Sequence, residues 1–277
     1  MMILIVISTI CISVTAIYYR NSVYASYYRN PLHTTEAEAV FKAASSGVYP
    51  WAKPVEKKPV KKQVKTDSNK TNRRVVEKKE FTKVDDSYFD DALFIGDSRM
   101  VGLSQYCEGI DARATFYAKK SLTIFDIRDD KWIETDDGVK ISLQEALSTH
   151  QFSKIYIMVG INELGIGNAS GFRSAYEDVI NIIQEYQPDA LIFINSIMHV
   201  DKEKNDSDAL YNNKNINLRN AAIMSLADNV KIFYININEA VDDENGNLNA
   251  DTTSDGVHLK GASYEPWHEY LLTHGIL

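Results

Sequence analysis

From Asp91 onward, nearly continuous apolar segments alternate with segments in which apolar residues recur at helical spacing. Such apolar runs are typical of buried parallel strands, and amphipathic segments between them are typical of helices that cover both faces of the sheet. The pattern predicts an α/β domain with three layers, α/β/α, around a mostly parallel, five-stranded sheet. The predicted strands are ALFIG, ATFYA, KIYIMVG, ALIFINSIM and KIFYINI, and the predicted helices are SRMVGLSQY, SLQEALSTH, SGFRSAYEDVINIIQEY, NINLRNAAIMSLAD and GASYEPWHEYLLTHG.

The N-terminal segment has a different pattern. Residues 1–19 contain no charged side chain, and as a helix they would extend about 28 Å, close to the thickness of a bilayer core. We interpret residues 1–25 as a transmembrane anchor. A cleaved signal segment is the alternative, because the small residue Ala25 offers a cleavage position, although no Lys or Arg precedes the apolar run.

Residues 26–85 show little apolar periodicity and are predicted to form a basic, largely disordered linker to a domain at residues 86–277. Residues 51–80 carry 11 Lys or Arg against 4 Asp or Glu, whereas residues 81–277 carry 16 against 32. We interpret this linker as a solvated spacer, and binding of its positive charge to a polyanion such as an anionic envelope polymer is the alternative. Nucleic acid is not an expected partner, because no aromatic residues interleave the basic core of the linker.

Residues with catalytic chemistry fall where predicted strands end. Ser98 follows Gly96 and Asp97 after the first strand, and Gly160 and Asn162 follow the third. Ligands of parallel α/β sheets bind beyond the C-terminal ends of the strands, and a helix N-terminus favours developing negative charge. Ser98 is therefore a candidate nucleophile. The alternative is that it only caps the following helix.

Asp255 and His258 lie three residues apart in the C-terminal part of the chain. With this spacing a loop can bring the imidazole to a serine while the carboxylate holds the other ring nitrogen. A surface histidine is the alternative interpretation.

The motifs GDS at 96–98, GIN at 160–162 and DGVH at 255–258 occur in this order and resemble three blocks of the SGNH, or GDSL-like, serine hydrolases. The resemblance covers roughly residues 90–277 and implies the family's flavodoxin-like fold. It also implies that Ser98 is the nucleophile, that His258 is the general base and that Asp255 orients the imidazole.

The resemblance further implies an oxyanion hole formed by the Ser98 N–H group, the Asn162 amide and the N–H group of a glycine in the second block. Ser121 stands where that glycine is expected. A side chain there occupies space beside the oxyanion and disfavours backbone conformations that glycine adopts easily. Glu163 also replaces the family's usual aspartate after GIN.

Other polar residues are given non-catalytic roles. We expect His199 to pack rather than contact substrate, and Cys107 to be structural because no cationic neighbour lowers its pKa. The segment DDENGNLNAD has its glycine at the wrong offset for an EF-hand and is predicted to form a tight turn. No metal and no cofactor is expected.

The expected function is that of a membrane-tethered, extracytoplasmic esterase that removes a small, acetyl-like group from a cell-envelope glycan. Arg20 and Arg29 follow the apolar run and favour a cytoplasmic domain, but a long basic linker favours reach into a polyanionic layer outside. One alternative is an O-acyltransferase that uses a glycan hydroxyl as acceptor. The other is a non-catalytic envelope-binding module in which Ser121 spoils the oxyanion hole.

Overall fold

The computed structural model describes residues 78–277. The predicted anchor and most of the predicted linker lie outside the described residues, so they stay predictions. Within residues 78–277, no helix combines the length and apolar character needed to cross a bilayer.

The described chain alternates strands and helices. The strands are β1 (Ala92–Gly96), β2 (Thr115–Ala118), β3 (Ile133–Glu134), β4 (Lys140–Ile141), β5 (Lys154–Met158), β6 (Leu191–Asn195) and β7 (Ile232–Ile235). The α-helices are α1 (Ser98–Tyr106), α2 (Glu108–Asp111), α3 (Ile124–Asp129), α4 (Leu143–Leu147), α5 (Ala169–Tyr186), α6 (Lys202–Ser207), α7 (Asn213–Met224), α8 (Asn238–Val241) and α9 (Glu265–Leu272). Short 3-10 helices occur at Asp86–Phe89, Ala250–Thr252 and Gly261–Tyr264.

The main sheet has five strands in the order β2-β1-β5-β6-β7, and every neighbouring pair is parallel. This is the flavodoxin-like order, so the predicted three-layer α/β/α fold with a parallel five-stranded sheet is confirmed. The order of the strands reverses at β1, which pairs with both β2 and β5. In such sheets the crevice beyond the C-terminal strand ends at this reversal is the usual ligand site.

Each face of the sheet buries its own apolar cluster. One cluster joins alternate strand residues such as Ile95 and Ile157 to α3, α4, α5 and α7. The other joins Phe94 and Tyr156 to α1, α2 and α9. Because successive strand residues point to opposite faces, strands buried on both sides must be apolar throughout, as the sequence pattern indicated.

Aromatic rings form a row across all five parallel strands on the face that carries α1. Neighbouring ring centroids lie 5.0, 4.5, 4.6 and 5.5 Å apart, and the rings are stacked within 28° of parallel. The strand register places these residues directly opposite one another, and cross-strand aromatic pairs of this kind stabilise a sheet. The row consists of Phe116, Phe94, Tyr156, Phe193 and Phe233.

Several short elements were not among those predicted: the β3–β4 hairpin and helices α2, α3, α6 and α8. Helix α3 begins with a capping box in which Thr123 and Asp126 exchange side-chain-to-backbone hydrogen bonds. A capping box can start a helix of only six residues without an extended apolar period. The segment DDENGNLNAD forms the expected tight turn, with an antiparallel bridge between Asp242 and Leu248 and a φ of 75° at Gly246.

The segment before Asp86 packs on the domain. Thr82 and Gly275 exchange backbone hydrogen bonds of 2.8 and 2.9 Å, and the Val84 N–H group donates to the Leu272 carbonyl at 2.8 Å. These contacts attach residues 82–84, which the sequence pattern assigned to the linker, to the C-terminal end of the fold.

Candidate active site

Helix α1 follows β1 directly, and its first residue is Ser98. The side chain of Asp97 caps this helix, because its Oδ1 accepts a hydrogen bond from the Arg99 N–H group at 2.9 Å. Aspartate is a favoured N-cap, since it satisfies an N–H group that has no partner within the helix. The Ser98 hydroxyl therefore does not cap α1 and is available to another partner.

The loop that carries His258 is shaped by its own carboxylate. Asp255 Oδ1 accepts hydrogen bonds from the N–H groups of Val257 at 2.9 Å and His258 at 2.8 Å. Gly256 between them has a φ of 76°, and a Cβ there would lie 2.7 Å from the Asp201 carboxylate. The tight turn therefore requires glycine at position 256.

Ser98, His258 and Asp255 are brought together in one hydrogen-bonded chain. Ser98 Oγ lies 2.8 Å from His258 Nε2, and His258 Nδ1 lies 2.7 Å from Asp255 Oδ2. The side chains of His258 and Asp255 are 45% and 53% exposed. This is the arrangement in which an imidazole takes the proton of a serine while a carboxylate orients the ring.

Opposing effects act on the pKa of Asp255. Partial burial raises it, but the hydrogen bonds from the His258 N–H group, the His258 ring and the Val257 N–H group prevail, so the pKa lies well below its usual range. An ionised carboxylate can only accept hydrogen bonds, so His258 Nδ1 carries the ring proton. Nε2 is then free to accept a proton from Ser98.

The residues implied as oxyanion donors lie at the same cleft as the serine. Ser98, Ser121 and Asn162 all line it. The backbone N–H groups of Ser98 and Ser121 make no hydrogen bond to the described residues, while Asn162 Nδ2 donates to the Leu122 carbonyl at 3.1 Å and keeps a second N–H group. Unused donors of this kind are what an oxyanion requires.

Ser121 occupies a backbone conformation that favours glycine. The Leu122 N–H group donates to the Lys119 carbonyl at 3.2 Å, which closes a four-residue turn with Ser121 in its third position. Ser121 has a φ of 61°, the left-handed value that a type II turn requires at this position. The serine thus reproduces the backbone expected of the glycine, at the energetic cost of a Cβ in that conformation.

Gly96 and Gly160 keep the neighbouring strand ends compact. Gly96 ends β1, where a Cβ would lie 2.6 Å from the Met158 carbonyl oxygen. Gly160 has a φ of 142°, and a Cβ there would lie 2.2 Å from the Ile197 side chain. Both glycines allow the close approach that brings Ser98 and Asn162 to one edge.

Arg99 is a site residue to which the sequence pattern gave no role. It is 1% exposed, and its guanidinium donates to the carbonyl groups of Val257 at 3.2 Å, Met198 at 3.0 Å and His199 at 3.4 Å. It therefore ties the start of α1 to the residue before His258. In the sequence, the one feature that could have indicated this role is the position of a charged residue between Ser98 and the apolar Met100.

Glu163 lies beneath the site and is fully buried. Its Oε1 accepts a hydrogen bond from the Ile124 N–H group at 2.5 Å, whereas Oε2 has no partner among the described residues. Burial, with a contribution from the negative charge of Asp97, raises the pKa of Glu163 to about 8 against the lowering effect of the Ile124 hydrogen bond. Glu163 is therefore mostly protonated at neutral pH.

His199 does not line the Ser98 cleft. It is 8% exposed, with Nδ1 2.6 Å from Asp242 Oδ2 and Nε2 2.8 Å from Asn217 Oδ1. Burial lowers the pKa of His199, but the hydrogen bonds to Asp242 and Asn217 outweigh burial and the net shift is upward. His199 and Asp242 therefore form a second histidine–aspartate pair, which has no serine beside it among the described residues.

The cleft beside Ser98 has a volume of about 430 Å³. Residues 78–277 contain no group of three or more His, Cys, Asp or Glu side chains placed to hold a metal ion. Cys107 is buried, and burial raises the pKa of its thiol to about 12, so it is protonated at neutral pH.

A parallel α/β sheet with a serine, histidine and aspartate chain at its C-terminal edge is the arrangement of a serine hydrolase. The model of the GDSL-like Lipase/Acylhydrolase family matches residues 94–265. The chain belongs to this family, and the match spans Ser98, Asp255 and His258.

Solved structures share the fold. A Streptococcus pneumonia protein described as a candidate platelet activating factor is 21% identical, with a TM-score of 0.52 over 66% of this chain and 82% of that chain. A candidate GDSL-like lipase from Parabacteroides merdae is 12% identical, with a TM-score of 0.50 over 69% of this chain and 98% of that chain. At these identities the likeness concerns the fold alone. No curated protein matches the sequence.

Proposed function

We propose that this protein is a membrane-tethered, extracytoplasmic serine esterase that removes a small, acetyl-like acyl group from a glycan of the cell envelope. The observation that carries the chemistry is the unbroken hydrogen-bonded chain from Ser98 Oγ through His258 to Asp255. The serine lies in an open cleft that also contains unused N–H donors, so nucleophile, base and oxyanion donors share one site.

The reaction proceeds in two acyl transfers. Ser98 Oγ forms a bond to the ester carbonyl carbon while its proton passes to His258 Nε2, and the oxyanion accepts hydrogen bonds from Ser98, Ser121 and Asn162. As the ester bond breaks, the leaving alcohol takes the proton from Nε2. Water then repeats these steps on the acyl-enzyme, which releases the carboxylic acid and restores Ser98.

The tether and its location are supported by the sequence. The uncharged run of residues 1–19 is long enough to span a membrane, and the Lys-rich linker suits an anionic envelope polymer as a partner. A domain held in this way reaches substrates some distance from the membrane surface, as an esterase acting on an extended glycan layer must.

Turnover of p-nitrophenyl acetate by the full-length protein tests the chemistry. We expect hydrolysis that disappears in Ser98→Ala, with an unchanged melting temperature because the hydroxyl does not cap α1. No hydrolysis by the folded wild-type protein would favour the envelope-binding module. Transfer of the acetyl group to an added glycan in preference to water would favour the O-acyltransferase.

The location is tested separately with a topology reporter fused after residue 80. A reporter that is active only outside the cytoplasm is the expected result. Activity confined to the cytoplasm would overturn the proposed orientation whatever the outcome with p-nitrophenyl acetate.

A further inference from the structure

The cleft beside Ser98 runs along one face of helix α1. Its lining includes Val101, Gly102, Gln105 and Tyr106, which lie three, four, seven and eight residues after Ser98. Residues at these intervals share one face of an α-helix. With a rise of about 1.5 Å per residue, the path from Ser98 to Tyr106 is about 12 Å long. The lining on this side of the cleft therefore extends from Ser98 along one face of α1.

An aromatic side chain marks the far end of the cleft. Tyr106 is 57% exposed, and its ring is stacked on that of Tyr264, with centroids 5.6 Å apart and an angle of 27°. Gly261 packs against the Tyr106 ring, since a Cβ there would lie only 2.9 Å from it. Because the ring is supported by these neighbours, it offers a positioned apolar surface at low entropic cost.

A hydroxyl group lies midway along the same face. Tyr264 is 2% exposed, and its oxygen packs on Gly102, where a Cβ would lie 1.8 Å away. Tyr264 is among the residues that line the cleft, and its hydroxyl makes no hydrogen bond to the described residues. Gln105 and Lys120 add exposed polar groups to the cleft.

We propose that this face of α1 is a subsite for the sugar chain that bears the ester, so that the substrate is an oligosaccharide of at least two linked rings. The proposal rests on the proposed function. A sugar ring presents an apolar C–H face, which suits Tyr106, and hydroxyl groups, which suit Tyr264 and Gln105. A long acyl chain needs an enclosed apolar pocket, whereas this cleft is open and carries polar side chains.

The first test compares substrates of different length on the full-length enzyme. The probes are O-acetylated N-acetylglucosamine, its β-linked dimer and trimer, p-nitrophenyl acetate and p-nitrophenyl palmitate, with ester cleavage measured against a Ser98→Ala blank. We expect kcat/KM to rise about fivefold or more from one sugar ring to two, which corresponds to about 1 kcal/mol. Equal kcat/KM values for the acetylated monomer, dimer and trimer would overturn the proposed subsite, and so would a higher kcat/KM for the palmitate ester than for the acetate ester.

The second test removes the proposed contacts. The ratio of kcat/KM for the acetylated dimer to that for p-nitrophenyl acetate should fall about tenfold in Tyr106→Ala and about threefold in Tyr264→Phe, chiefly through KM. Leu218→Ala is the matched control, because Leu218 is 55% exposed on α7, across the sheet from α1, and its loss should leave the ratio unchanged. An equal loss on both substrates in Tyr106→Ala would contradict the proposal.

The subsite and the esterase can fail separately. If Ser98-dependent hydrolysis of p-nitrophenyl acetate persists while ring number has no effect, the subsite is wrong and the esterase stands. If the folded protein cleaves none of the esters, both are wrong.

Discussion

The domain contains two histidine–aspartate pairs that differ in what the second ring nitrogen meets. In each pair a carboxylate oxygen lies within 2.7 Å of Nδ1. Nε2 of His258 meets the Ser98 hydroxyl, whereas Nε2 of His199 meets the amide oxygen of Asn217. A hydroxyl can donate its proton to Nε2 of His258, whereas the amide oxygen of Asn217 can only accept a hydrogen bond from Nε2 of His199. The two pairs therefore differ in whether the second ring nitrogen can act as a base towards its neighbour.

Burial reinforces this difference. The side chains of the His199–Asp242 pair are 10% and 12% exposed, against 45% and 53% for the His258–Asp255 pair. Arg99 contacts the backbone of both regions, through the carbonyl groups of His199 and Val257. The comparison indicates that one pair supports the structure around Arg99, while the other is placed for proton transfer with Ser98.

The largest expected effect separates the two histidines. His258→Ala should reduce kcat/KM for p-nitrophenyl acetate by about a thousandfold or more, because the serine loses its base, with little change in melting temperature. His199→Ala should instead lower the free energy of unfolding by about 3 kcal/mol, because it leaves Asp242 buried without its partner. Steady-state kinetics measure kcat/KM, and denaturant melts measure the free energy of unfolding. A loss of activity in His199→Ala together with a loss of stability in His258→Ala would contradict the distinction between the two pairs.

The aspartates offer the next test. Asp255→Asn should lower kcat by about a hundredfold to ten-thousandfold, because an amide no longer fixes the Nδ1-protonated tautomer of His258. Asp242→Asn is the matched change in the buried pair and should act on thermal stability rather than on the rate per folded molecule. A similar loss of kcat in both variants at a temperature where both are folded would show that the pairs are not distinct.

Arg99→Lys tests the connection between the regions. A lysine keeps the charge but cannot donate to three separate carbonyl groups in the fixed geometry of a guanidinium. We expect kcat to fall about tenfold with KM nearly constant, since His258 is less well positioned, and the acidic limb of the pH–rate profile to shift. A lower melting temperature with an unchanged kcat and pH profile would assign Arg99 a structural role only.

The smallest effect is on the pH dependence of stability. The folded pKa of His199 lies above its usual value of 6.5, so its stabilising contribution is complete below pH 6.5 and is lost as the pH rises through the folded pKa. The free energy of unfolding, measured by denaturant melts at several pH values, should differ between the wild-type protein and His199→Gln at low pH. This difference should shrink as the pH rises. If the difference in free energy of unfolding is the same at every pH tested, the charge of His199 does not contribute to stability.

Much of the fold could be predicted from the sequence because the information is local. All five strands of the parallel sheet were predicted from their apolar runs, and the long helix α5 was predicted from the helical spacing of its apolar residues. The β3–β4 hairpin was missed because two-residue strands such as Ile133–Glu134 carry no period. The short helix α3 was missed because a capping box, rather than an apolar face, starts it.

The site was predictable only in part for a related reason. Ser98, Asn162, Asp255 and His258 belong to motifs, and the structure brings them to one cleft. Arg99 and Tyr264 belong to no motif. Their positions depend on carbonyl groups, backbone N–H groups and helix faces that come from distant segments, so no local pattern marks them.

By itself, the sequence determined the parallel α/β architecture, the order of the motifs and the candidate nucleophile, because periodicity and short motifs act over neighbouring residues. Only the tertiary structure decided that Asp97 rather than Ser98 caps α1, and that Ser121 adopts a left-handed φ. It also decided which histidine–aspartate pair meets a hydroxyl. These outcomes depend on which atoms from separate segments come within hydrogen-bond distance, and folding alone establishes those distances.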